Sequence, residues 1–71
     1  MQQIFEHNQK ILENPPTLKS TQKFSLMNTT NNTYFSIYSL SALKKHFDEN
    51  PLHLSTHIIQ IAVTNVGNID E

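Results

Sequence analysis

Seventy-one residues with no cysteine admit one small core and exclude a disulfide framework, a thiolate metal site and a thiol nucleophile. A net charge of −1, a sequence pI of about 6.4 and five cations that are all lysine argue against a nucleic-acid reader, since bidentate contacts to guanine and phosphate usually use arginine. One glycine in the whole chain excludes phosphate-cradling and dinucleotide-binding loops. Stability must then come from packing and helix caps, toward the low end of the usual range of about 5–15 kcal/mol.

The first segment predicts a helix from Gln2 to about Glu13. Ile4, Phe5, Ile11 and Leu12 fall on one stripe at spacings of one and two turns, with Asn8 between them. Glu6 and Lys10 are oriented for an i,i+4 pair. Asn14-Pro15-Pro16 ends the helix, because a residue before proline avoids the helical region and proline donates no N–H. Residues 14–22 are expected to be a polar connection.

Two strand-like runs follow. Lys23-Phe24-Ser25-Leu26-Met27 alternates, and Thr33 to Ser39 is rich in aromatic and β-branched residues. Between them lies Asn28-Thr29-Thr30-Asn31-Asn32, whose asparagines tolerate left-handed backbone and make Asx turns. A β-hairpin is the expectation. Its two glycosylation sequons, with no secretory leader legible, read as a polar turn.

A second helix is predicted from Leu40 to about Glu49. Ser39 is placed to be its N-cap, and Tyr38 to pack on Leu43 as a hydrophobic staple. Leu40, Leu43 and Phe47 form the buried stripe and leave Lys44 and Lys45 in water. Asp48 and Glu49 oppose the helix dipole, so the last turn is expected to fray before Asn50-Pro51 stops it.

The last segment reads two ways. Ile59, Ile61 and Val63 alternate with polar and small residues as in a strand, and the β-branched run favours that state. Leu54, Ile58, Ile61 and Asn65 also lie at helical spacing, with Ser55 able to cap. Gly67 would end either version, leaving residues 67–71 as a tail. The fold class expected is α+β: one domain over residues 1–71, with an N-terminal helix, a hairpin, a helix, and then a C-terminal helix or a third strand.

Thr33-Tyr34, Tyr38-Ser39-Leu40, Leu52-His53-Leu54-Ser55 and Ala62-Val63-Thr64-Asn65 together resemble the N-terminal stretch of the aconitase and iron-regulatory-protein family. That stretch runs from a short hairpin into a Tyr-Ser-Leu helix start, and then into a second helix. The resemblance therefore implies a helix over residues 55–65. It covers about half the chain and departs at His53, which stands for a proline, at Leu54, which stands for an aromatic, and near Gln60, where an acidic residue is usual. The family's cluster-ligating cysteines and substrate-binding residues lie far downstream of this region, so the resemblance implies neither activity nor cofactor here.

Three histidines merit attention. On a helix His53 and His57 would face one way and, with His46 and a nearby carboxylate, could hold zinc. Pro51 opposes that helix, and on a strand the pair would stand about 13 Å apart. No metal site is therefore assigned. The serines show no His–Asp relay and the carboxylates are scattered, so an enzyme is not expected.

Both faces of the second strand are apolar: Tyr34 and Tyr38 point one way with Ser36, and Phe35 and Ile37 the other. Either two helices sandwich the hairpin or one face is left for a partner. The expectation is a non-catalytic binding protein, a regulator or inhibitor of another macromolecule, contacting a protein partner or a second copy through Tyr34, Phe35, Ile37, Lys44 and Lys45. Short asparagine- and threonine-rich chains of this kind are often accessory proteins of bacteria, phages or mobile elements. The alternative is a nucleic-acid-associated regulator using Lys19, Lys23, Lys44 and Lys45. With no signal peptide legible and no apolar run near the roughly 20 residues a bilayer requires, no membrane role and a cytoplasmic location are expected.

Overall fold

Helix α1 spans Gln2–Glu13 and stops where the sequence requires, one residue short of Asn14, whose N–H still reaches the Lys10 carbonyl at 3.0 Å before the two prolines. A computed structural model describes residues 2–64; the expectations for Asn65, Gly67 and the tail 67–71 lie outside them. Ile11 and Leu12 pack against the core, and Leu18 from the connection joins them.

Strands β1 (Gln22–Asn28) and β2 (Thr33–Ile37) form the expected antiparallel hairpin. Its loop is built by asparagine chemistry. Asn32 takes the left-handed region at φ 59° and donates its N–H to the Asn28 carbonyl at 2.8 Å. The Asn28 side chain accepts from the Thr30 N–H at 2.9 Å, and Asn31 accepts from the Thr33 N–H and hydroxyl.

Helix α2 spans Leu40–Glu49. Ser39 caps it in extended conformation, its Oγ accepting the Ala42 N–H at 3.2 Å. The Tyr38–Leu43 staple does not form as expected: Leu43 is wholly buried in the core, whereas Tyr38 is 66% exposed and its ring lies 5.8 Å from the Lys23 ammonium. The helix runs through Asp48 and Glu49 to the end of its last turn. Asn50 closes that turn twice, its backbone N–H and its side-chain amide both donating to the His46 carbonyl at 2.9 Å.

A single 3₁₀ turn over Pro51–Ser55 then reverses the chain into β3 (His57–Val63). His57–Val63 therefore take the strand alternative, and the helix implied by the aconitase resemblance is not formed over the described residues. The physical reason is the second side of β1. Its N–H and C=O groups there need partners, and a β-branched run beside them supplies a full ladder where a helix would supply none. The register sets Leu26 opposite Ile59 and Phe24 opposite Ile61, and the sheet order is β2-β1-β3.

Pairing parity divides the sheet into two faces. Phe24, Leu26, Ile37 and Ile59 share one face and form the core with Leu43 and Phe47 of α2, with Ile11 and Leu12 of α1 packed against it. Both helices thus contribute to the same face, and neither core stripe is placed on the other. That other face carries Lys23, Ser25, Met27, Tyr34, Ser36, Ile58, Gln60 and Ala62. Among the described residues no helix is long and apolar enough to cross a membrane.

Candidate functional site

The two outer edges of a three-stranded sheet expose unpaired backbone groups, and this chain treats its two edges differently. At β3, side chains of helix α1 meet the edge at His57 and Ile59, leaving the outward groups of Ile61 and Val63 without a partner among the described residues. Asn8 is completely buried; its Oδ1 accepts the Ile59 N–H at 3.0 Å, and its Nδ2 donates to the carbonyls of His57 at 2.6 Å and Leu54 at 2.9 Å. His7 Nε2 lies 2.9 Å from the Ile59 carbonyl. One carboxamide stands in for a neighbouring strand.

Those bonds fix the direction of every backbone group in the ladder. Ile59 turns its N–H and C=O away from β1, so Leu26–Ile59 is a non-hydrogen-bonded pair and Leu26 turns its own groups toward β2. Antiparallel alternation then makes Leu26–Phe35 and Phe24–Ile37 the hydrogen-bonded pairs. Tyr34 and Ser36 consequently present their N–H and C=O groups outward, and among the described residues no hydrogen-bond partner meets them. The edge of β2 is open.

Beside this edge runs a groove of about 420 Å³ between β2 and α2, floored by the Phe35–Tyr38 segment and walled by Ala42, Lys45, His46 and Glu49. Ala42, Lys45 and Glu49 recur at intervals of three and four, which places them on one stripe of α2 facing the groove. Exposed aromatic residues line it: Phe35 is 54% exposed and Tyr38 66%.

The residues expected from sequence to make contacts separate into three groups. Tyr34 and Phe35 are exposed at the open edge, and Lys45 lines the groove. Lys44 is exposed on α2 and does not line it. Ile37 is corrected: at 5% exposure it is a core residue, because its side chain points to the helix-covered face opposite Phe24. Of the lysines considered for nucleic-acid contact, Lys23 lies on the opposite sheet face from the one α2 packs against. Ser36, Tyr38, Ala42, His46 and Glu49 were not singled out as contacts. Only the relation of edge to helix brings them together, and no local pattern encodes that.

The histidines also come together, contrary to the roughly 13 Å separation expected for a strand. The 3₁₀ turn folds His53 back onto His57, and their rings stack with centroids 3.9 Å apart and planes at 20°. His46 Nε2 and His53 Nδ1 share a hydrogen bond of 2.9 Å, while Thr56 Oγ1 meets His57 Nδ1 at 2.7 Å. His46 packs edge-on against Phe47 and 5.7 Å from the Phe35 ring, and is the member of the cluster that lines the groove. Burial, reinforced by His53, holds the His46 imidazole below its ordinary range against the upward pull of Glu49. Burial, then His53 and His46, does the same for His57. Stacked rings direct their ring nitrogens in parallel and do not converge on one ion, and among the described residues no group of three potential ligands is arranged to hold a metal.

No protein-family model, characterised protein or solved structure matches the chain.

Proposed function

We propose that this is a small non-catalytic binding protein, a regulator or inhibitor of another macromolecule, whose contact surface is the open edge of β2 with the groove beside it. The observation that carries the reading is the asymmetry of the two sheet edges. Buried Asn8, with His7, meets β3 at His57 and Ile59, whereas among the described residues no side chain meets the outward groups of Tyr34 and Ser36 on β2, which stand beside exposed Phe35 and the groove. A free strand edge flanked by apolar side chains is the arrangement to which an extended segment of another protein adds as a further strand. Main-chain bonds to Tyr34 and Ser36 would supply affinity, and the groove would take every second side chain of the incomer. Lys45 and Glu49 on its wall would orient the bound segment.

The test compares wild type with Phe35→Ser as bait in extracts of the source organism, in low and high salt. The expected result is a protein retained by wild type at high salt and lost by a Phe35→Ser bait whose circular dichroism is unchanged. Equal retention by both baits would contradict the reading. So would a nuclease-sensitive complex that disappears with salt, which would favour the lysine-based nucleic-acid alternative.

A further inference from the structure

We infer that the occupant of the β2 edge is a second copy of this chain, paired antiparallel about Ser36. The inference rests on reading that edge as the contact surface and names what covers it in the protein on its own, a copy that a target strand would have to displace. The segment that carries the edge, Tyr34-Phe35-Ser36-Ile37-Tyr38, reads nearly the same in both directions. Antiparallel pairing of identical strands sets residue 36 − n opposite 36 + n, so this near-palindrome places tyrosine opposite tyrosine and phenylalanine opposite isoleucine about the central serine.

Each level of the geometry agrees with that register. Ser36 turns its N–H and C=O outward and is therefore able to exchange both bonds with the partner's Ser36. Tyr34 then lies opposite the partner's Tyr38 on the open face, an aromatic cross-strand pair formed from two side chains that are each about two-thirds exposed in the single chain. On the helix face Phe35 lies opposite the partner's Ile37, and the two grooves merge above the seam. The groove wall is self-complementary in charge as well. Lys45 and Glu49 stand one turn apart on the α2 stripe facing the groove, and a twofold axis reverses that stripe in the partner. The lysine end of one stripe is then directed toward the glutamate end of the partner's. The result would be a six-stranded sheet whose outer edges are both β3, each met by Asn8 and His7 of α1 at His57 and Ile59.

The chain has no cysteine, which makes the register directly testable. In a hydrogen-bonded antiparallel pair the opposed Cα atoms are about 5.5 Å apart, within the span of a disulfide. Sedimentation velocity of wild type should give twice the 8.2 kDa of one chain. Ser36→Cys should form a covalent dimer on mild oxidation, and Ser41→Cys, exposed elsewhere on α2, should not. Ser36→Lys, which opposes two like charges only across the twofold axis, should sediment as a folded monomer. A wild type that stays monomeric at high concentration would overturn the second copy while leaving the contact surface to be decided by the capture experiment. A dimer that survives Ser36→Lys and fails to cross-link through Ser36→Cys would also overturn it, since the copies would meet elsewhere.

Discussion

Replacing Asn8 by alanine removes the group that meets the β3 edge at His57 and Ile59, and the structure allows the cost to be worked out. The side chain makes three hydrogen bonds at zero exposure: one accepted from the Ile59 N–H and two donated to the carbonyls of Leu54 and His57. Truncation leaves the Ile59 donor buried without a partner, which costs about 1–3 kcal/mol. The two carbonyls retain a second lone pair and some access to water, so they contribute less, about 1 kcal/mol together. The small cavity adds to both. A total of about 3 kcal/mol is therefore expected, a large share of the stability of a domain this size. Urea unfolding followed by circular dichroism would read it as a lower midpoint at unchanged slope. Gln9→Ala, on the exposed side of the same helix, should stay within about 0.5 kcal/mol of wild type. Asn8→Ala within that same margin would refute the reasoning, because it would mean that the edge needs no cap.

Ser39→Ala should cost about 1 kcal/mol through loss of the bond to the Ala42 N–H, whereas Ser39→Gly should cost only a few tenths; the same urea titration distinguishes them, and equal midpoints for Ser39→Ala and wild type would contradict the cap. The lowered histidines predict a pH dependence with a definite sign. His46 and His57 resist protonation in the folded protein, so the unfolded chain takes up protons first as pH falls. Their contribution is fully present above about pH 6.5, is lost as pH drops below it, and levels off once the folded-state values are passed. Melting temperatures between pH 7.5 and 5.5 would show this decline, and it should be shallower in His46→Asn.

The hairpin, both helices and the Ser39 cap were legible because each is written in local chemistry: proline pairs, asparagine turns, a hydroxyl before an apolar stripe. The state of residues 57–63 was not, since Ile58, Ile59 and Ile61 satisfy both periods. What decides it is the unpaired side of β1, which lies some thirty residues earlier in the chain. Asn8 was visible as a polar residue inside an apolar stripe, yet its partners come from residues 54–59 and leave no local trace. Ile37 and Phe35 point to the same face and differ in fate only by position. Ile37 lies opposite Phe24 in the core, while Phe35 reaches the margin that α2 leaves uncovered. The histidine cluster depends on a 3₁₀ turn after Pro51, where an extended strand had placed the rings far apart.

The central claim, that the outer edge of β2 is the contact surface, is tested most directly by residue-resolved amide exchange as a function of protein concentration. In the dilute protein Phe35 and Ile37, whose N–H groups face β1, should be protected, and so should Ile59 behind Asn8. Tyr34 and Ser36 should exchange freely. Raising the concentration should slow Tyr34 and Ser36 selectively while the other three stay as they were. Protection of Tyr34 and Ser36 already in the dilute protein would contradict the account, and so would association that slows amides elsewhere and leaves these two unchanged.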